Sequence, residues 1–197
     1  MSGAERSLLP FAAGVALAIL AAASVMAAEA TDAGLAVCLA CHGAQGRSDT
    51  PLVPSLGGQP EFYLSVQLLM FRDKLRDVAP MTEMLHGVGD AGLQSLAASV
   101  AKLPPPTPSI EGLDRARIDK ARALIEQHRC NFCHKADYSG GENVPRLAGQ
   151  REDYLVKALR DYKSNQRRGY DASMADVLYP ISDEQLSDLA YFLARQR

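Results

Sequence analysis

The chain contains no tryptophan, and its aromatic residues amount to 6% of the sequence. Two halves of about 80 residues each would bury little apolar surface, and small cores of that kind depend on a metal, a disulfide or a cofactor. Charge of one sign is also missing. Lys and Arg number 21 against 23 Asp and Glu, for a formal net charge of −2. With no basic stripe, nothing points to nucleic acid. No stretch sustains the period-two alternation of a half-buried strand, so the fold class expected is all-α. Beyond the first thirty or so residues, no run is apolar enough to span a bilayer.

The exception lies at the start. Leu8 to Ala28 carries no charge, follows Arg6, and leads into "VMA" ending at Ala27 and "AEA" ending at Ala30. This reads as a secretory signal peptide over residues 1–28, set aside from fold reasoning and marking the chain for export. An uncleaved anchor, which would tether the protein to the membrane, is the alternative reading.

The chain has four cysteines, and all stand in two matching clusters. "CLACH" at Cys38–His42 returns as "CNFCH" at Cys130–His134. "VPSLGGQPEFYL" from Val53 returns as "VPRLAGQREDYL" from Val144. Leu64, Leu68 and Phe71 correspond to Leu155, Leu159 and Tyr162, each set at the i, i+4, i+7 spacing of one helix face. Leu93, Leu96, Ala97 and Val100 match Leu186, Leu189, Ala190 and Leu193. The offset is 92 residues for the cysteine clusters, 91 for Val53 and 93 for Leu93. So small a drift marks an internal duplication.

Local signals place the helices. Pro60 suits the first turn of one helix, and Asp90 is the expected N-cap of another. Ser182 with Gln185 forms a capping-box pattern. Asp114 should cap a helix with Ile118, Ala121 and Ile125 on one face, leading into Cys130. Between the halves, "KLPPPTPSIEG" from Lys102 is stiffened by its prolines and reads as a spacer. The expected organisation is an N-terminal domain over 29–103, a linker over 104–113 and a C-terminal domain over 114–197.

Three chemistries use Cys-x-x-Cys followed by His: a redox disulfide, half a zinc site, or a covalent haem. The redox dithiol belongs to a βαβ context that is absent here. Zinc would lack a fourth ligand in each half, and pooling the halves would tie together two separate repeat units. Haem uses every member: Cys38 and Cys41, and Cys130 and Cys133, form thioethers to the vinyl groups, and His42 and His134 face the irons. Two copies in equivalent places make the signal strong.

Elimination then supplies the sixth ligand. After His134 the chain holds no further histidine and one methionine, Met174. If the second iron is closed by His or Met, Met174 closes it. "MADVLYPISDEQL" from Met174 aligns with "MTEMLHGVGDAGL" from Met81, so Met81 is the expected partner of His42. Met84 and Met70 are expected in the core, and His86 and His128 in surface or packing roles.

On these residues the chain resembles the dihaem class I c-type cytochromes of the cytochrome c4 group, across both halves. The resemblance implies two small cytochrome c domains packed about a pseudo-twofold axis, with their haem propionates close together. It also implies that the carbonyls of Pro54 and Pro145 accept hydrogen bonds from His42 and His134, fixing the iron ligands. Two covalently bound haem c groups with His/Met ligation and no open site imply an electron carrier and not an enzyme. It would pass electrons between respiratory complexes, from a quinol-oxidising complex to a terminal oxidase or reductase. The alternative is the dihaem cytochrome subunit of a periplasmic dehydrogenase, such as flavocytochrome c sulfide dehydrogenase. Docking on such redox partners should be small, transient and salt-sensitive.

Overall fold

The computed structural model describes residues 34–108, 110, 112–167 and 172–197, so the leader assigned to residues 1–28 lies outside the described residues. Among these the regular structure is helical, and the only extended pairing is an isolated bridge between Gly141 and Val144. The first half runs through α1 (residues 34–42), α2 (Glu61–Arg72), α3 (Met81–Met84) and α4 (Asp90–Ala101). The second follows with α5 (Arg115–His128), α6 (Cys130–His134), α7 (Glu152–Lys163), α8 (Ser173–Leu178) and α9 (Asp183–Leu193).

The halves match element for element, with one difference. The first CxxCH lies in the last turns of α1, whereas the second forms the short α6, cut from α5 by Arg129 in the left-handed region (φ 52°, ψ 39°). The duplication extends to single backbone bonds. Leu56 and Gly57 both donate to the carbonyl of Gly46, at 2.7 and 3.0 Å. Leu147 and Ala148 do the same to Tyr138, at 2.8 and 3.2 Å. Gly46 and Tyr138 are twins in the repeat, and both have positive φ.

The apolar faces bury as their spacing requires. In the second half one core gathers Ala121, Leu124 and Ile125 of α5, Leu155 and Leu159 of α7, and Leu186, Leu189, Ala190 and Leu193 of α9. The first half has two smaller clusters: Leu64, Ala97 and Val100, and Phe71, Leu85 and Leu93. Leu68 of α2 packs against both. The last helix of each half therefore lies across the helix that carries Leu64 or Leu155, and in the second half also across α5.

The end signals hold with two corrections. Ser182 and Gln185 form a complete capping box on α9, and the Asp114 side chain accepts from Arg117 N–H at the start of α5. Pro60 stands one residue short of its expected place in the first turn: it is the N-cap residue of α2, with extended ψ of 136°. Asp90, however, is the first residue of α4 and not its cap; Gly89 takes that place, while the Asp90 carboxylate accepts from Arg72 at 2.5 Å. A nearby guanidinium captured the side chain that would otherwise have turned back on the helix.

The proline segment after Leu103 is not a free strand of chain. Gly58 N–H donates to the Leu103 carbonyl at 3.0 Å. A Cβ on Gly57 would stand 2.0 Å from the Pro104 oxygen, so only glycine lets the segment approach. In the other half Gly149 (φ +71°) faces the Pro106 oxygen, and Pro106 is buried.

Candidate haem centres

Each CxxCH ends on a buried histidine; His42 is 6% exposed and His134 5%. Each ring lies against the proline of its own repeated loop. His42 Nδ1 is 2.7 Å from the Pro54 oxygen, and His134 Nδ1 is 3.0 Å from the Pro145 oxygen. A carbonyl can only accept, so both rings carry their proton on Nδ1. Nε2 is then the unprotonated nitrogen in both, the arrangement a metal-ligating imidazole needs. Burial pushes both imidazoles below their ordinary pKa, and the proline carbonyl pulls the other way. The rings are held neutral, ready to donate a lone pair.

The cysteines do not behave as a redox pair. Cys41 and Cys133 are exposed, while Cys38 and Cys130 are half-buried. Burial pushes the thiols of Cys38 and Cys130 up, the reverse of the activated thiolate that disulfide exchange requires. No group of three or more His, Cys, Asp or Glu among the described residues is disposed to cage a metal ion. Thioether formation asks only for two accessible sulfurs beside an inward-facing histidine, and both motifs supply that.

Met81 opens α3 and packs, partly buried, on Phe71, Leu85 and Leu93. Met174 lies in α8 and packs, partly buried, against the core of the second half. Met70 is buried at 7% exposure, as expected of core. Met84 is 42% exposed, contrary to its expected core position, because α3 is a single short turn whose far side faces solvent. His86 is exposed and His128 half-buried.

Several polar side chains that sequence reasoning passed over join the two halves. Arg167 is 7% exposed and donates to the hydroxyls of Tyr154 and Tyr63, each at 3.0 Å. Its repeat twin Arg76 reaches Tyr154 at 3.4 Å. Tyr63 and Tyr154 are also twins, and each arginine stacks on a twin aromatic ring, Arg76 on Phe71 at 4.5 Å and Arg167 on Tyr162 at 4.8 Å. Burial opposes ionisation of Tyr154, but Arg167 and Arg76 outweigh it and bring its phenol down to about 8. Burial pushes the Tyr63 phenol up. Neither arginine has a carboxylate within ion-pair distance among the described residues.

Two glutamines complete the junction. Gln59 Nε2 donates to the Arg146 carbonyl at 2.8 Å, and Arg146 N–H donates to Gln59 Oε1 at 3.0 Å. Its twin Gln150 treats Ser55 the same way, both bonds at 2.8 Å. The signal for all six residues was present: the glutamines and tyrosines stand in the repeated "GQ" and "YL" positions, and the arginines keep the same 91-residue offset. What it lacked was any indication that they meet across the halves.

A tandem helical chain, with a Cys pair and a buried, Nδ1-protonated histidine in each half, is a dihaem c-type cytochrome. The family model for cytochrome c matches residues 118–196. The chain is 30% identical to a cytochrome c4 of Pseudomonas aeruginosa, over 84% of this chain and 87% of that one. It is 33% identical to a thiosulfate dehydrogenase electron acceptor of Thiomonas intermedia, over 82% of this chain and 79% of that one. Its fold matches the crystal structure of reduced recombinant cytochrome c4 from Pseudomonas stutzeri with a TM-score of 0.77 at 27% identity, covering 86% and 98% of the two chains. The chain belongs to the cytochrome c4 family. It is an electron-transfer protein with two covalently bound haem c groups.

Proposed function

We propose that Cys38 and Cys41 tether one haem and Cys130 and Cys133 the other, each cysteine S–H adding across a vinyl group to give a thioether. His42 and His134 supply the fifth ligands, and Met81 and Met174 the sixth. The observation that carries this is the pair of His–Pro hydrogen bonds, which commit Nδ1 and leave Nε2 for iron in both halves. Arg76, Arg167, Tyr63 and Tyr154 are placed to hold haem carboxylates between the halves. Each haem then belongs to its own domain, 29–103 or 114–197, joined by 104–113.

With a His and a Met holding each iron, neither would keep a position for substrate, and the haems would supply one-electron relay chemistry. We assign it to the periplasm, exported by the leader over 1–28, between a quinol-oxidising complex and a terminal oxidase or reductase. No helix among the described residues is long and apolar enough to cross a membrane. A second reading has support of its own. The likeness to a thiosulfate dehydrogenase electron acceptor, together with Phe132 standing 87% exposed between Cys130 and Cys133, favours docking on a dehydrogenase through an apolar contact beside the second haem.

The test is spectroscopic. The purified protein should gain the mass of two haems and show two low-spin centres with the weak long-wavelength band of Met–iron ligation. Met174→Ala should remove that band from one haem and lower its potential. High-spin iron at both centres in the unmodified protein would sink the carrier reading. Reduction rates with a quinol-oxidising complex and with a thiosulfate-oxidising dehydrogenase separate the two partner readings.

A further inference from the structure

The two glutamine contacts carry more than adhesion between the halves. Gln59 and Gln150 are 7% and 5% exposed, and a buried amide is retained only where its polar atoms are paired. Each accepts a backbone N–H from the opposite half on its carbonyl oxygen and donates its NH2 to the carbonyl of that same residue; Gln150 Oε1 also accepts from the N–H of its neighbour Arg151 at 2.9 Å. This pattern admits one orientation of the amide, because reversing it would set donor against donor.

The residue each clamps is the one that follows the proline. Pro54 C=O and Ser55 N–H are the two ends of a single peptide group. The carbonyl accepts from His42 Nδ1–H at 2.7 Å while the N–H donates to Gln150 Oε1 at 2.8 Å. In the other half, Pro145 C=O accepts from His134 Nδ1–H at 3.0 Å while Arg146 N–H donates to Gln59 Oε1 at 3.0 Å. A peptide group whose N–H is engaged is polarised, and its oxygen becomes a better acceptor. The stronger that acceptor, the more electron density the imidazole places on its metal.

We propose that Gln59 and Gln150 are positioning residues acting crosswise: Gln150 of the second half sets the His42 ligand of the first haem, and Gln59 of the first half sets the His134 ligand of the second. This rests on the assignment of His42 and His134 as iron ligands. The chain of contacts is imidazole, peptide, glutamine, and it crosses between the halves once in each direction. Coupling of this kind is reciprocal, so a change of charge at one iron is felt by the loop that holds the other half.

The test uses the full holoprotein with Gln59→Met and Gln150→Met, which keep side-chain volume and remove the hydrogen bonds. Haem methyl signals in the proton NMR spectrum of the oxidised protein are assigned to each haem through Met174→Ala. Gln59→Met should shift the signals of the His134 haem and raise its potential, leaving the other haem unchanged. Gln150→Met should do the reverse. Where a methionine variant fails to take up haem, the shorter Gln59→Asn and Gln150→Asn keep a neutral amide but withdraw it from the peptide group, and should shift the same haem in the same direction. Asp153→Ala removes a different contact between the halves, from Leu52 N–H to Asp153 Oδ2 at 3.0 Å, and should leave both haems unshifted. Shifts at the haem of the variant's own half, at neither haem, or equally in Asp153→Ala overturn the proposal. Two normal low-spin haems with an uncrossed pattern overturn only the crossing; iron without His ligation overturns the ligand assignment itself.

Discussion

At the residue scale, the position just after each histidine records how far the two halves have diverged. In the first half it is Gly43, with φ +86°. In the second it is Lys135, with φ 66° and ψ 167°, a region that side chains avoid. Lys135→Gly should therefore stabilise the protein by about 1 kcal/mol, the relieved strain exceeding the entropy that glycine adds to the unfolded chain. Denaturant unfolding of the holoprotein measures it, and an unchanged or lower midpoint would show the strain to be absent. The motif itself was legible from sequence because covalent chemistry fixes both residue type and spacing: Cys38, Cys41 and His42, with their copies, admit few readings. Met84 was not legible, since nothing in a four-residue turn says which side faces solvent. Nor was the Arg129 break before Cys130, which no glycine or proline announces.

At the element scale, helix existence followed from periodicity and helix ends from capping chemistry. Leu155 and Leu159 of α7, at i and i+4, and Leu186, Leu189 and Leu193 of α9, at i, i+3 and i+7, bury where helical periodicity put them. The α9 capping box adds stability that α4 lacks, because Gly89 has no side chain to accept from the first turn. Ser182→Ala should cost about 1 kcal/mol, and Gln185→Ala in the same background should cost little more, since the two bonds form one device. Thermal unfolding of the single and double variants checks this; additive losses would break the prediction. The Asp90 cap failed for a reason outside its own helix: Arg72 of α2, eighteen residues earlier, took the carboxylate. Sequence patterns describe an element against water, and here a neighbour competed.

At the scale of the whole molecule, repeat logic revealed two equivalent halves but not how they face one another. The junction is built from twins: Gln59 with Gln150, Tyr63 with Tyr154, Arg76 with Arg167. One edge of it depends on pH. Hydrogen bonds from Arg151 hold the Asp153 carboxyl below the usual carboxylate range, and Asp153 accepts from Leu52 N–H across the junction. A group whose pKa is lowered by folding contributes stability above its unfolded value, about 4, and loses it as pH falls through the folded value. The protein should accordingly lose more stability between pH 6 and pH 3 than Asp153→Asn does. Parallel stability curves for the two would remove Asp153 from the acid response.

The proline segment has a consequence for the chain as a physical object. Its first residues rest on Gly57 and Gly58 and its third proline on Gly149, so it touches both halves along its length. It behaves as a ruler. Cutting it leaves the halves gripped by four glutamine bonds, two in each direction, but a residue inserted between Pro105 and Pro106 would put the seats at Gly58 and Gly149 out of step. In this protein a missing connection is easier to bear than a connection of the wrong length.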